Sequence, residues 1–123
     1  MTDKELVKLI AATADDKKAQ ELDVLEVEGL TTLSEYFVIM TGTSNTHLKA
    51  LAGEIEKLVK EHGGPDPHHI EGYNAASWIL MDYGTVILHV FQGETRQFYD
   101  LERLWKDGEQ LPLDEFLGQP ETD

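Results

Sequence analysis

The chain has 123 residues, and its 24 acidic residues outnumber its 10 lysines and arginines, which gives a formal net charge of −14. It contains no cysteine, so disulfide frameworks, thiolate zinc sites and cysteine nucleophiles are excluded. The longest uninterrupted apolar run, Tyr36 to Met40, is too short to span a membrane. We therefore expect a soluble, cytoplasmic α/β protein with no membrane partner.

The acidic charge also bears on the class of partner. A surface of this sign repels the phosphates of nucleic acids and anionic lipids, and no cluster of lysines and arginines offsets it, so direct DNA binding is not expected. From Asp107 to the end the chain carries six acidic residues and no basic one. A basic protein surface is the natural partner, because complementary charge speeds encounter. The alternative interpretation is that the acidity only maintains solubility.

In the first half of the chain the pattern predicts two helices and two strands. Thr2-Asp3-Lys4-Glu5 is a capping box and predicts a helix that continues to about Lys18. Leu22 to Glu28 alternates like a strand, and Tyr36 to Met40 is continuously apolar, like a strand buried on both faces. A second helix, capped by Thr43 or Ser44, follows; its apolar stripe comprises Leu48, Leu51, Ala52, Ile55, Leu58 and Val59.

The second half predicts a short strand, a hairpin and a last helix. His69 to Gly72 is the short strand, and Trp78 to Asp82 and Val86 to Phe91 form an antiparallel hairpin around the turn-forming Tyr83-Gly84. Gly93 to Trp105 predicts one helix with Phe98, Leu101 and Trp105 on one side. The whole indicates a single-domain mixed β-sheet with flanking helices over residues 1–106, followed by an acidic, loosely ordered tail over 107–123.

The predicted sheet has more surface than the predicted helices can cover. Two well-formed helices cover one face of a five-stranded sheet, and alternation on the hairpin sends Ile79 and Met81 to one face and Trp78, Leu80 and Asp82 to the other. The second face then needs a cover, which is either a partner protein, the last helix or a second copy of the chain. Trp78 is accordingly either a core tryptophan or an aromatic anchor for a partner.

The sequence offers two candidates for a chemical site, a phosphate-holding turn and a set of histidines. Gly42-Thr43-Ser44 lies where a strand meets a helix and could hold a phosphate, as in a nucleotide-binding or nucleotidyltransferase-like enzyme. Such enzymes need carboxylates to hold magnesium, and Asn45 to Lys49 supply none, so a turn and helix cap is favoured. The five histidines show no helical i, i+4 pair, so we predict no metal and no cofactor.

Three segments, taken in their order along the chain, are similar to the Iojap or ribosomal silencing factor family. They are Asp16 to Val27, Tyr36 to Asn45 and Ala76 to Gly84. His89-Val90-Phe91, Arg96 and Phe98 to Trp105 extend the resemblance, which covers roughly residues 3–105. The occurrence of all these segments in this order along the chain is specific to the family.

The resemblance implies a nucleotidyltransferase-like fold without catalytic carboxylates and without transferase activity. It also implies binding to the fourteenth protein of the large ribosomal subunit, which blocks association with the small subunit and represses translation under nutrient limitation, and a homodimer off the ribosome. On this basis Trp78, Leu80, Asp82 and Tyr83 are the predicted partner-binding residues, with Arg96 and Tyr99 of the last helix as rim contacts. The two alternatives to this function are the nucleotide-handling enzyme considered above and a dimeric scaffold with no ribosomal role.

Overall fold

A computed structural model describes residues 1–28, 34–104 and 109–110 of the chain. Within them, helices and strands alternate much as the pattern predicts. The elements are α1 (Asp3–Asp16), β1 (Gln20–Glu26), β2 (Tyr36–Gly42), α2 (Asn45–Glu61), β3 (His69–Glu71), β4 (Trp78–Asp82), β5 (Val86–Gln92), α3 (Gly93–Tyr99), α4 (Leu101–Leu104) and β6 (Glu109–Gln110). None of the described helices is long and apolar enough to cross a membrane.

The strands form one mixed sheet in the order β3-β4-β5-β2-β1-β6. β2 and β5 pair in parallel at its centre, and every other described pair is antiparallel. All seven residues of β2 are buried, which explains the continuous apolar run in this segment. The predicted fold class, a single-domain α/β protein with a mixed sheet, is confirmed.

The two long helices lie side by side on one face of the sheet. The capping box at the start of α1 is confirmed: the Glu5 N–H donates to Thr2 Oγ1 at 3.1 Å, and the Thr2 N–H donates to the Glu5 carboxylate at 2.7 Å. Ser44, and not Thr43, caps α2 through a 3.0 Å bond from the His47 N–H. The apolar stripes of both helices pack on the sheet and form the larger core.

We call the sheet face turned away from α1 and α2 the outer face. A second, smaller core lies there, and its buried members are Leu25, Val27, Phe37, Ile39, Phe91 and Leu101. The short helix α3 packs on β5 and β2 at this face. It covers only part of the sheet, and Trp78 and Ile87 remain half-buried at the margin of the core.

The end of the described chain differs from the prediction in two respects. The single helix predicted over Gly93 to Trp105 is wrong, because Asp100 adopts a left-handed conformation (φ 50°, ψ 58°) that ends α3 and separates it from α4. Aspartate tolerates this region better than most residues. Glu109 and Gln110, placed in the predicted tail, pair with Leu25 and Glu26 of β1 as the sixth strand. Trp105, Lys106 and the predicted tail apart from Glu109 and Gln110 lie outside the described residues.

Candidate docking surface

The outer side of β4 carries three of the six residues predicted to bind a partner. The predicted alternation is confirmed: Ile79 and Met81 are fully buried beneath the helices, whereas Trp78, Leu80 and Asp82 are half-buried on the outer face. The strand is next to the sheet edge, with only the three exposed residues of β3 beyond it. The side chains of Trp78, Leu80 and Asp82 are therefore within reach of a partner that approaches the outer face.

Trp78 is held in a fixed orientation by three aromatic neighbours. Its ring stacks on Phe91 with centroids 4.8 Å apart, and it lies 4.6 Å from the ring of Tyr99. The indole N–H donates to Nδ1 of His89 at 3.2 Å. His89 is itself buried, and its ring lies 4.9 Å from that of Phe37. An anchor that is already oriented loses little side-chain entropy when it binds.

The aromatic surface continues from Trp78 onto α3. Tyr99 is 46% exposed, and Phe98, which packs edge-on against Tyr99 at 5.1 Å, is 80% exposed. The prediction that Phe98 and Leu101 lie on one side of a single helix is wrong, because Asp100 separates them into two helices. Leu101 is buried in the smaller core, whereas Phe98 is exposed. We call Trp78, Phe98 and Tyr99 the aromatic platform. The spacing of Phe98, Leu101 and Trp105 in the sequence could not reveal this exposure, since α3 ends at Tyr99.

The Arg96 side chain is buried between α3 and the strands β1 and β2. Its guanidinium donates to Oδ2 of Asp23 at 3.0 Å, to Oγ1 of Thr41 at 2.8 Å and to the backbone carbonyl of Glu21. The Arg96 side chain is 10% exposed and that of Asp23 24%. Arg96 thus ties α3 to β1 and β2, and its predicted contact with a partner stays a prediction.

The hairpin turn places Asp82 and Tyr83 on opposite faces of the sheet. Asp82 Oδ1 accepts the Gly84 N–H at 2.7 Å, which stabilises the turn, while the side chain stays half-buried on the outer face. Tyr83 is 5% exposed in the core beneath the helices, and its hydroxyl has no hydrogen-bond partner among the described residues. Burial raises the pKa of this phenol well above its usual value. Tyr83 is therefore outside the platform, and its role as a contact stays a prediction.

The turn that could have held a phosphate is occupied by its own side chains. Ser44 caps α2, and the Thr43 N–H donates to Nδ1 of His47 at 2.9 Å. A Cβ on Gly42 would lie 2.6 Å from Cδ1 of Leu48, so this glycine allows α2 to pack closely on β2. The described residues contain no group of three histidines, aspartates or glutamates that could hold a metal ion. Helix capping and close packing therefore explain the residues of this turn.

The charge of the chain is unevenly divided between its two sides. Residues 1–18 and 44–62, which include α1, α2 and their caps, carry seven lysines and seven carboxylates. The rest of the chain carries seventeen carboxylates and three basic residues, of which Arg96 is buried in its pair with Asp23. The net charge of −14 thus belongs entirely to the sheet, the loops and the last part of the chain.

Comparison with known proteins assigns the family. The sequence model described as "Ribosomal silencing factor during starvation" matches residues 1–123. The ribosomal silencing factor RsfS of Bacillus subtilis is 37% identical over 119 residues, which are 97% of this chain and all of that protein. A mouse protein named mitochondrial assembly of ribosomal large subunit protein 1 is 33% identical over 101 residues, which are 80% of this chain and 44% of that protein.

A solved structure agrees with the sequence relatives. The crystal structure of a Chromobacterium violaceum protein superposes on this chain with a TM-score of 0.82 at 32% identity, and the match covers 98% of both chains. The fold of this chain is thus shared with a solved structure over nearly its whole length. This chain belongs to the ribosomal silencing factor family.

Proposed function

We propose that this chain binds the large ribosomal subunit at its fourteenth protein, through the outer face of the sheet, and so prevents the small subunit from joining. Translation would then fall when nutrients are scarce. The observation that carries the proposal is the aromatic platform, a group of partly exposed rings on a face that the described helices cover only in part. Membership of the silencing family and a mouse relative named for the large subunit support it.

The platform has the composition of an interface centre. Aromatic side chains are enriched there, and a few of them supply most of the binding free energy in typical complexes. Exposed rings on a stable monomer carry a cost, because they keep apolar surface in water. Leu80, which pairs across the strands with His89, extends the apolar surface from Trp78 along β4. We infer that Trp78, Leu80 and Tyr99 form the centre of the contact.

The distribution of charge determines which partner this surface fits. The helix layer is neutral overall, whereas the remainder of the chain is strongly acidic. A basic ribosomal protein is attracted to the acidic side, and RNA phosphates are repelled from it. Asp82, at the end of the exposed row of β4, is the carboxylate that we expect to pair with a lysine or arginine of the partner.

The proposed mechanism is steric exclusion and requires no catalysis. One bound copy makes one large subunit unavailable, so inhibition should follow the ratio of protein to large subunits and saturate near one to one. The chain would act wherever it meets free bacterial-type large subunits, which is the cytoplasm for a bacterial protein. A second copy of the chain is the other occupant we propose for this surface, as a homodimer off the ribosome.

The first experiment is co-sedimentation of the protein with purified large and small subunits. Tyr99→Ala and Tyr73→Ala form a matched pair, because Tyr99 is 46% and Tyr73 43% exposed, and Tyr73 lies away from the platform beside Lys49. We expect Tyr99→Ala to weaken binding to the large subunit by about tenfold or more, as for a residue in an interface centre. Tyr73→Ala should bind like the wild type, and equal effects of the two changes would rule out the outer face.

The second experiment follows the joining of free subunits by sedimentation. Asp82→Asn removes the charge but keeps an oxygen that accepts the Gly84 N–H, so the turn should stay intact. Asp82→Lys removes the acceptor and reverses the charge. We expect inhibition to weaken in the order wild type, Asp82→Asn, Asp82→Lys. No inhibition by the wild type would refute the silencing function itself, and equal inhibition by all three proteins would remove Asp82 from the contact.

A further inference from the structure

A groove runs between the start of β4 and α3, next to the aromatic platform. Its volume is about 420 Å³, and its lining residues are Ser77, Glu94, Thr95, Phe98 and Tyr99. Because the Tyr99 ring also lies against Trp78, the groove adjoins the surface proposed to bind the large subunit. The groove shares Phe98 and Tyr99 with the platform and extends beyond it to Ser77, Glu94 and Thr95.

One wall of the groove is aromatic. Phe98 is 80% exposed, and it touches Tyr99 edge-on, so most of its ring surface faces solvent. The faces of phenyl and phenol rings carry negative partial charge and attract a cation placed within about 6 Å of the ring centre. A lone exposed phenylalanine is unremarkable, but here two adjacent rings border the same concave space.

The same groove contains a carboxylate. Glu94 precedes Phe98 by one helical turn, so the two side chains lie on the same side of α3. Glu94 is exposed, and no lysine, arginine or histidine pairs with it among the described residues. The nearest basic residue on the helix, Arg96, is engaged with Asp23 beneath the surface. The groove therefore combines ring faces with a negative charge that the chain itself does not neutralise.

We propose that this groove receives the side chain of a lysine or arginine from the basic protein partner, with the cation over Phe98 and Tyr99 and with Glu94 as its counter-ion. The inference rests on the proposed function and adds a specific recognition site to it. An RNA phosphate does not fit, because Glu94 would repel it. A neutral apolar side chain would pack on the rings but would leave the Glu94 carboxylate without a counter-ion.

The experiment measures the affinity of the full-length protein for purified large subunits at two salt concentrations. Phe98→Leu keeps apolar area without a ring, Phe98→Tyr keeps the ring, and Glu94→Gln removes only the charge. Both residues changed, Phe98 and Glu94, are exposed in the free protein, so the fold should be unaffected. Gln97→Ala on α3 and Glu61→Gln at the end of α2 are exposed controls outside the groove.

We expect Phe98→Leu to weaken binding about fivefold and Phe98→Tyr to leave it within about twofold, since an exposed cation–π contact has this size. Glu94→Gln should weaken it about threefold at low salt and less at high salt, because screening reduces the contribution of an exposed ion pair. Both controls should bind like the wild type.

Three results would overturn the inference. If the wild type binds and neither Phe98→Leu nor Glu94→Gln differs from it, the groove is not part of the contact. If only the Phe98 change matters, and salt does not alter its effect, the occupant is neutral. If the wild type fails to bind large subunits at all, the proposed function falls and this inference falls with it.

Discussion

The buried arginine offers the sharpest test of how the docking surface is built. Arg96→Met removes the guanidinium but keeps a long apolar side chain, and it leaves the Asp23 carboxylate, the Thr41 hydroxyl and a backbone carbonyl without this donor. Removing one partner of a buried ion pair costs about 3–5 kcal/mol. Because the Asp23 side chain is 24% exposed and water can solvate it, we expect a loss of about 2–3 kcal/mol in the free energy of unfolding.

Urea unfolding followed by tryptophan fluorescence measures this loss. The near-ultraviolet circular dichroism of the native variant should also change, since α3 positions Tyr99 against Trp78. Adding Asp23→Leu to the Arg96→Met variant should restore part of the stability, because the second change removes the carboxylate that the guanidinium had neutralised. A variant as stable as the wild type that binds large subunits poorly would refute this reasoning. It would show that Arg96 leaves its pair to contact the partner.

Three further changes test other parts of the chain. Gly42→Ala should lower the free energy of unfolding by about 1–3 kcal/mol in thermal melts, because its Cβ would overlap Leu48. Desolvation and the neighbouring Asp3 raise the pKa of Glu35, so its ionisation destabilises the fold as pH rises through that pKa. Glu35→Gln should therefore melt higher than the wild type at pH 7, and the difference should vanish below the pKa of an unfolded glutamate. Tyr83→Phe removes a buried hydroxyl without a described partner and should raise stability by about 1 kcal/mol while binding normally; weaker binding would show that the hydroxyl reaches the partner.

Local patterns account for the features that were predicted correctly from the sequence. The capping box at Thr2 is a contact between residues three positions apart, and the buried strand β2 follows from five consecutive apolar residues. The two faces of β4 follow from simple alternation, which correctly separated Trp78 and Leu80 from Ile79 and Met81. Each of these signals is contained within a few neighbouring residues, so no knowledge of the tertiary structure is needed.

The parts that the sequence did not predict depend on distant residues or on a single backbone angle. Arg96 and Asp23 are 73 positions apart, and only the folded sheet brings them together. Tyr83 follows β4 directly, but alternation stops at the turn, so the pattern gave no face for its side chain. The exposure of Phe98 results from the left-handed conformation of Asp100, which a periodic helix pattern cannot express.

The acidity and the aromatic platform should contribute to different steps of binding. Charges dispersed over the sheet side and the last part of the chain act at a distance, so they raise the rate of association and lose their effect as salt screens them. The rings act only in contact, so they determine how long the complex lasts. An inhibitor that works by occupancy needs both properties, because it must reach a free large subunit before the small subunit does and must then stay. Changes at the carboxylates should therefore alter mainly the association rate, and changes at Trp78 or Tyr99 mainly the dissociation rate. Asp82 should affect both the association and the dissociation rate, because it carries a charge and lies on the strand that carries Trp78.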